Sequence, residues 1–355
     1  MHSWPDRRIL DLFRIDLPIV LAPMAGPGTP ELAIAVSEAG GLGSLPCALL
    51  TIAQAGVALE QIRAATSRPI AVNFFCHVPP EADPVREAAW RARLAPYYRE
   101  HGVDPAAPAP ASNRTPFDAE SCALVEAYRP EVVSFHFGLP PQPLLDRVKA
   151  AGAKVIATAT TVREARWLEA HGCDAIVAQG LEAGGHRGNF LTHDIARQVG
   201  TFALVPQMAD AVKVPVIAAG AVADARGIVA ALALGAAAVQ IGTAYLFTPE
   251  AKVPAAHRDA LKHAADDDTV ITNVFTGRPA RGIVNRLMLE VGPMSADAPA
   301  FPLAAGALAA LVAKAGTAGS SEFTSHWSGQ AAQLAKELPA GELTALLASE
   351  ALARL

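Results

Sequence analysis

Cysteine, aromatic residues and charged residues are all scarce in this sequence. Of its 355 residues, 4 are cysteines, 6% are aromatic and 18% are charged, whereas 52% are hydrophobic. Such a composition is too apolar and too weakly charged for an intrinsically disordered chain. Lysine and arginine number 29 against 34 aspartates and glutamates, and no basic cluster stands out, so we expect no nucleic-acid partner. We expect a globular protein of one large domain with an appendage, or of two domains.

The cysteines are not spaced for a metal site. Cys47, Cys76, Cys122 and Cys173 lack the paired C-x-x-C spacing of a zinc site, and no H-E-x-x-H motif occurs. We therefore expect no bound metal and interpret the cysteines as reduced thiols. The first residues, MHSWPDRRIL, contain no apolar stretch typical of a secretory signal, so a cytoplasmic location is expected.

One uncharged run is long enough to imitate a membrane span. No charged residue occurs between Arg226 and Glu250, a length that could cross a bilayer. The run is rich in alanine rather than leucine and contains Gln240, Gly235 and Gly242. It divides into a buried helix, a turn and a strand, so we expect no membrane span.

Short apolar runs alternate with longer alanine-rich stretches in the first part of the chain. This alternation is typical of parallel strands joined by helices, and runs without polar alternation are typical of strands covered on both faces. The predicted strands cover residues 18–22, 42–45, 70–75, 132–137, 154–159, 175–179, 216–220 and 238–242. The helices predicted between them cover residues 30–39, 51–65, 118–128, 142–151, 161–171, 203–212 and 224–234. The pattern predicts an α/β fold, the eight-stranded (β/α)8 TIM barrel.

Two segments do not fit this repeat. Residues 78–117 are rich in proline around one polar helix, predicted at 84–100, and form an insertion after the third strand. After residue 249 the alternation stops. We predict a barrel domain at 1–249 and a helical C-terminal cap at 250–355, part of which packs back on the barrel. The helices predicted in the cap cover about 254–264, 302–315, 325–338 and 341–353.

Three predicted strands carry a polar side chain near their carboxyl end. Asn73 lies in the third strand, His136 in the fourth and Gln179 at the end of the sixth. Active sites of β/α barrels lie in the loops that follow these ends. A buried polar group also needs a hydrogen-bond partner, which for any one of these residues could be a neighbouring loop. Because three such residues share one end of the barrel, we interpret them as lining a ligand site.

Glycines follow the last two predicted strands. Gly220 ends the seventh strand, and Gly242 and Thr243 end the eighth. Loops at these positions commonly bind phosphate, because glycine permits close approach and main-chain N–H groups can point at the anion. Neither G-x-G-x-x-G nor G-x-x-x-x-G-K-[ST] occurs. The pattern therefore indicates a phosphate ester rather than a dinucleotide bound in Rossmann fashion.

The segment AQGLEAGGHRG, residues 178–188, follows the sixth predicted strand. Its glycines bend the chain around Glu182, His186 and Arg187. His186 is either a loop histidine that titrates in solvent or a residue suited to proton transfer or to attracting an anion. The glycine-rich setting favours the second interpretation, because such loops are shaped for close contact.

Several separate motifs of this chain resemble those of the class I nitronate monooxygenases, formerly called 2-nitropropane dioxygenases. That family belongs to the larger group of FMN-dependent β/α barrels. The resemblance runs from about residue 17 to about residue 340. Its motifs are LPIVLAPMAGPGTPELAIAVSEAGGLGSL near the start, VNFF at 72–75, VSFHFG at 133–138, AQGLEAGGHRG, VPVIAAG, VQIGTAYL, FTGRPARGIVNR at 275–286 and HWSGQ at 326–330.

The resemblance implies FMN as the cofactor and assigns residues to it. His186 matches the active-site histidine of the family's GGH motif, and His136 would line the substrate pocket nearby. The residues that would enclose the flavin are Ala22, Pro23 and Met24 beside the ring, Asn73 and Gln179 at its edge, and Gly184, Gly220, Gln240, Ile241, Gly242 and Thr243 around the ribityl chain and phosphate.

Two alanines replace glycines that the resemblance leads us to expect in the phosphate loop. The chain reads AAGAVADARG where AAGGIADGRG is expected, so Ala221 and Ala225 stand at glycine positions, whereas Gly220 is kept. We expect an altered loop geometry rather than the loss of FMN.

The resemblance also implies a reaction, the oxidation of an alkyl nitronate such as propionate 3-nitronate by FMN and O2. The products would be a carbonyl compound and nitrite or nitrate. A protonated His186 would attract the nitronate anion, whereas a neutral His186 could take the α-proton from a nitroalkane. Two other functions stay open. One is an FMN-dependent NAD(P)H:quinone or enoyl reductase of the same barrel group, and the other is a flavin-binding protein without turnover.

The remaining features have less specific interpretations. The basic turn at 276–282 is either a solvated surface turn or a device that pins the cap to the barrel or attracts an anion. Arginines of the insertion, Arg114 among them, alternate with acidic residues and are interpreted as a solvated face. Phe323 and Trp327 are interpreted as core residues. The histidines interpreted as surface or structural residues are His77, His101, His193, His257, His263 and His326.

Overall fold

The structure is a computed structural model that describes residues 3–110 and 112–355. Met1, His2 and Ala111 fall within the predicted barrel domain and its insertion and lie outside the described residues. Among the described residues, no helix is both long enough and apolar enough to cross a membrane. Helices and strands are numbered below in chain order.

Eight parallel strands form the barrel. These strands are β1 (Ile19–Leu21), β2 (Gly43–Pro46), β3 (Ile70–Phe75), β4 (Val132–His136), β5 (Lys154–Ala159), β6 (Ala175–Gln179), β8 (Val216–Ala219) and β9 (Ala238–Ile241). They pair in the order β1-β9-β8-β6-β5-β4-β3-β2. Two main-chain hydrogen bonds of 2.9 Å, from Leu21 N–H to Leu42 O and from Leu42 N–H to Ile19 O, join β1 to the start of β2. The prediction of a TIM barrel is confirmed.

Helices surround the barrel and begin where the local sequence caps them. The Thr51 hydroxyl accepts a hydrogen bond from Gln54 N–H, and the Gln54 side chain accepts one from Thr51 N–H, which fixes the start of one helix. The helices of this layer are α1 (Arg8–Phe13), α2 (Pro30–Glu38), α3 (Ile52–Ala65), α5 (Ala119–Tyr128), α6 (Gln142–Ala150), α7 (Val162–Ala170), α8 (Thr201–Ala211) and α9 (Ala225–Ala233). They cover the outer faces of the strands, which explains why the strands are apolar on both faces.

The insertion contains one helix, α4 (Pro84–His101), which packs on α12 (Ala304–Thr317). The Trp90 indole N–H donates to Ala304 O at 3.2 Å, and the Tyr98 hydroxyl donates to Ala307 O at 2.7 Å. Both aromatic side chains are buried in a hydrophobic cluster separate from the barrel core. The insertion is therefore attached to the C-terminal part of the chain.

The C-terminal part is not purely helical, so that prediction is wrong. Strands β10 (Thr269–Thr272) and β11 (Ala280–Ile283) form a small antiparallel sheet with β7 (Gly185–His186). The helix predicted at 325–338 is also absent from this described stretch, where Trp327 bridges to Gly282 and a 3-10 turn covers Ala332–Leu334. Short strands whose partners lie far away in the sequence leave little local signal, and the Ser-Gly step within HWSGQ disfavours a helix.

The other C-terminal helices are α10 (Ala255–His263), α11 (Arg286–Val291) and α13 (Ala340–Leu352). Helix α13 packs against α2 and α9 of the barrel. Its side chains Leu343 and Leu347 belong to the same buried core as the barrel strands. The domain boundary at residues 249 and 250 stays a prediction.

Candidate active site

A cavity of about 710 Å³ lies at the carboxyl ends of the barrel strands. All but one of the site residues predicted from the sequence line it. These are Ala22, Pro23, Met24, Asn73, His136, Gln179, Gly184, His186, Gly220, Gln240, Gly242 and Thr243. The barrel brings them together because parallel strands place their carboxyl ends at one rim.

Ile241 is the exception among the predicted residues. Its side chain is buried in the barrel core and does not line the cavity. Its carbonyl accepts a hydrogen bond of 2.9 Å from Ala22 N–H. Ile241 therefore positions Ala22 and lies behind the cavity wall.

The glycine-rich loop at 178–188 is held by two of its own polar side chains. The Gln179 amide oxygen accepts a hydrogen bond from Gly188 N–H at 2.8 Å, and its Nε2 donates to His186 O at 3.0 Å. The guanidinium of Arg187, which is fully buried, donates to Gly180 O and Gln179 O at 2.7 and 2.9 Å. Gln179, predicted to contact the flavin edge, has one N–H left for a ligand.

The side chain of His136 contacts the main chain of His186. Its Nε2 lies 3.2 Å from His186 O, and its Nδ1 lies 3.0 Å from Thr158 Oγ1. A carbonyl can only accept, so Nε2 carries the proton and the Thr158 hydroxyl donates to Nδ1. Burial, together with the charge of Arg278, lowers the pKa of His136 to about 3. His136 is therefore a neutral residue that fixes the main chain at His186.

His186 is held in one tautomer by Thr276. Nε2 of His186 lies 2.9 Å from Thr276 Oγ1, which in turn lies 3.4 Å from Arg278 O. Satisfying both contacts requires the Thr276 hydroxyl to donate to the Arg278 carbonyl and to accept from His186 Nε2–H. Nδ1 is then the unprotonated nitrogen, and it makes no hydrogen bond with residues 3–110 or 112–355.

His186 is neutral as well as fixed. Burial lowers its pKa well below 6.5, and positive charge on Arg114 and Arg278 adds to the effect. Aromatic rings enclose it: the imidazole centroid lies 5.3 Å from that of Phe301 and 5.4 Å from that of Trp327. Such a setting keeps the imidazole uncharged and able to accept a proton through Nδ1.

Gly220 adopts a backbone conformation that other residues rarely adopt, with φ of +116°. A Cβ at this position would lie 2.7 Å from Thr201 Oγ1 and 3.2 Å from Ala183 N. Ala221 follows with φ of +59°, so an alanine occupies a left-handed conformation that favours glycine. Within the described part of the chain, the N–H groups of Gly220 and Ala221 donate no hydrogen bond.

The helix that follows Gly220 and Ala221 is capped by a side chain of its own loop. The carboxylate of Asp224 accepts hydrogen bonds from Arg226 N–H and Gly227 N–H, so the first turn of α9 is already capped. Ala225 is the first residue of this helix and is buried. The unbonded N–H groups of the loop, rather than the helix terminus, are the donors that remain for an anion.

Gly184 has a packing role against the HWSGQ segment. A Cβ on Gly184 would lie 2.5 Å from Gly329 N. Gly329 N–H donates to Thr243 Oγ1 at 2.9 Å, which joins this segment to the end of strand β9.

Asn73 is held by the neighbouring strand β4. Its side-chain amide donates to Ser134 O and Oγ, both at 3.1 Å. Its Oδ1 is left as an acceptor beside the cavity.

Two arginines of the basic turn pin the C-terminal part to the barrel, which decides between the two interpretations of that turn. The Arg278 guanidinium lies 3.9 Å above the Phe137 ring and donates to Asn189 O. The Arg281 guanidinium donates to Leu181 O at 3.0 Å and to Thr269 O at 3.1 Å. Neither is a solvated residue.

Several residues of the site were not predicted from the sequence. His257 and His326 stack with centroids 4.9 Å apart and line the cavity, and His77 is buried, so none of the three is a surface histidine. Trp327 lines the cavity instead of packing only in the core. The motif HWSGQ contains His326 and Trp327, so it was the feature of the sequence from which their place in the site could have been predicted.

No metal-binding group of three or more His, Cys, Asp or Glu residues occurs in the described ranges.

Comparisons with known proteins agree with this geometry. A sequence family described as nitronate monooxygenase matches residues 6–350. A nitronate monooxygenase of Pseudomonas aeruginosa is 43% identical over 347 residues, covering 97% of this chain and 98% of that protein. One of Paraburkholderia phytofirmans is 44% identical over 348 residues, covering 97% and 94%. A crystal structure of nitroalkane oxidase from Streptomyces ansochromogenes has a TM-score of 0.87 at 38% identity and covers 97% of both chains. The chain therefore belongs to the nitronate monooxygenase family, a family of oxidoreductases.

Proposed function

We propose that this protein uses FMN and O2 to oxidise alkyl nitronates to a carbonyl compound and nitrite or nitrate. The observation that carries the proposal is the state of His186 in a member of the nitronate monooxygenase family. Its imidazole is neutral, lines the cavity, and has Nδ1 free of any bond to the described residues. It lies at the rim where β/α barrels place their chemistry.

The donors and the space of the cavity fit FMN. The free N–H groups of Gly220 and Ala221 would bind the phosphate, and Asn73 Oδ1 would accept a ring N–H. The volume of about 710 Å³ is within the range of about 300–1,000 Å³ found for ligand pockets. When bound, FMN supplies the electron transfer and oxygen reactivity that side chains lack.

The charge of the cavity suits a small anion such as a nitronate. Its described lining includes the cationic side chains of Arg114 and Lys252 and no aspartate or glutamate. The aromatic rings around His186 make that end of the cavity less polar, which strengthens the attraction between charges.

His186 would act as a base toward neutral nitroalkanes. The α-proton of the nitroalkane would move to Nδ1, while Nε2–H stays bonded to Thr276. The imidazolium formed is disfavoured by burial and by the nearby arginines, so it is stabilised only beside the nitronate anion made in the same step. A preformed nitronate needs no such transfer.

Anaerobic reduction of the bound flavin tests the proposal against its alternatives. We expect propionate 3-nitronate to bleach the flavin within seconds, and millimolar NADH or NADPH to leave it oxidised for minutes. Faster bleaching by a nicotinamide would favour a reductase, and no bleaching by any of them would favour a flavin-binding protein without turnover. Chromatography of the flavin released on denaturation identifies it, and FAD would contradict the cofactor assignment.

A further inference from the structure

A guanidinium group that has no partner among the described residues lines the cavity from the insertion. Arg114 lies after α4, where the insertion returns toward the barrel, and it lines the cavity. It also lines a second hollow of about 290 Å³ whose walls include Trp90, Pro302 and Leu303. Arg114 therefore stands between the cavity and an outer hollow formed by the insertion and the segment around α12. The interpretation of this residue as part of a solvated face is wrong.

Arg114 differs from the other arginines of the site. Arg187, Arg278 and Arg281 each donate to main-chain carbonyl groups. The guanidinium of Arg114 makes no hydrogen bond or ion pair with any residue that the structure describes. Burial lowers its pKa, and no nearby carboxylate opposes that effect. Arginine nevertheless stays protonated in proteins, so an uncompensated positive charge remains at this position.

Arg114 and His186 line the same cavity. Of the charged groups that lower the pKa of His186, Arg114 has the largest effect. Beside it, His77 is buried and its Nδ1 has no hydrogen-bond partner in the described ranges. An anionic ligand that reaches both His186 and Arg114 would bring negative charge to a cavity whose described lining contains no aspartate or glutamate.

We propose that Arg114 binds a carboxylate at the far end of the nitronate substrate. The inference rests on the proposed function and makes Arg114 a specificity-determining residue. Nitronates that carry a second negative group would be preferred over nitronates of equal length with an uncharged tail. A guanidinium presents parallel N–H donors that match a carboxylate, and partial burial strengthens the pair.

Binding of unreactive isosteres tests this without turnover. Succinate has the shape and charge of propionate 3-nitronate, and butyrate has those of propyl-1-nitronate. By titration calorimetry on the purified protein, we expect succinate to bind roughly 10- to 100-fold more tightly than butyrate, the effect of one charge-assisted hydrogen-bonded pair. Arg114→Gln should remove the preference, and Arg114→Lys should keep part of it. Arg99→Gln, which removes an exposed positive charge from the same insertion, should change nothing.

Kinetics with the two nitronates separate this inference from the proposed function. Arg114→Gln should raise KM for propionate 3-nitronate at least about tenfold, with little change in kcat, and should raise KM for propyl-1-nitronate clearly less, because that anion has no carboxylate to lose its partner. Equal effects on both nitronates, or a succinate preference that survives in Arg114→Gln, would overturn the role of Arg114 and leave nitronate oxidation standing. A wild-type protein that prefers succinate but oxidises neither nitronate would retain the carboxylate site and overturn the proposed reaction.

Discussion

The hydroxyl of Thr276 lies 2.9 Å from Nε2 of His186, although 90 residues separate the two in the sequence. Thr276 comes from the loop before β11, and His186 lies in β7, which pairs with β11. The small antiparallel sheet therefore sets both the position and the tautomer of the proposed base.

Replacing His186 with Asn should leave the flavin bound but slow the oxidation of a neutral nitroalkane by roughly 100-fold or more, the usual contribution of a positioned base. Preformed nitronate should be affected less, because its α-proton is already gone. Steady-state oxygen uptake with nitroethane and with ethyl nitronate measures the two effects. Equal losses on both substrates would argue against a base.

Replacing Thr276 with Val removes the acceptor that holds Nε2–H and frees the imidazole to change tautomer. We expect kcat for a neutral nitroalkane to fall about tenfold, equivalent to the loss of one hydrogen bond of about 1.4 kcal/mol. Thr276→Ser keeps the hydroxyl and should retain most of the activity. If Ser and Val variants behave alike, the hydroxyl does not position His186.

Replacement by glycine should change the free energy of unfolding in opposite directions at the two alanines that stand at expected glycine positions. Ala221 has φ of +59°, so Ala221→Gly relieves strain and should raise the free energy of unfolding by about 0.5–1 kcal/mol. Ala225 starts α9 and is buried, so Ala225→Gly should lower it by about 0.5–1 kcal/mol. Urea denaturation measures both. A destabilised Ala221→Gly variant would contradict the strain.

Gly220→Ala should lower both stability and flavin content. The alanine would be strained at φ of +116° and would press on Thr201, displacing the N–H groups proposed to bind phosphate. Gly152→Ala is the matched control, since Gly152 has φ of +94° with no atom within 4 Å of a Cβ. That variant should lose stability but keep the flavin-to-protein ratio of the wild type. Normal flavin content in Gly220→Ala would contradict the proposed phosphate loop.

Stability should fall as the pH falls below about 6.5, the pKa of a histidine in an unfolded chain. The pKa of His136 in the folded protein is about 3, and that of His186 is also well below 6.5. Between these values the unfolded chain binds more protons than the folded protein, so acid favours unfolding. His136→Gln should reduce the slope of unfolding free energy between pH 6 and 4 by up to about 1.4 kcal/mol per pH unit. Chemical denaturation at several pH values measures this slope, and an unchanged slope would contradict a neutral His136 in the folded protein.

The eight strands and the positions of Asn73, His136 and Gln179 could be predicted because they depend on local order. Apolar runs of strand length separated by helical stretches predict parallel pairing, and parallel pairing places every carboxyl end at one rim. The glycine at position 220 is a local signal too, since its backbone angle excludes other residues. These features need no knowledge of which distant segments meet.

The sequence by itself thus determined the barrel, the rim at the carboxyl ends of its strands and the presence of His186 at that rim. Only the tertiary structure decided the state of that histidine and the neighbours that control it. Trp327 and Arg114 line the cavity from the C-terminal part and from the insertion, and Thr276 of the C-terminal part contacts His186. The short strands and proline-rich loops of these segments have no hydrophobic periodicity from which such contacts could be predicted. Their roles depend on contacts between residues far apart in the chain and on burial, which lowers the pKa values of His186 and Arg114.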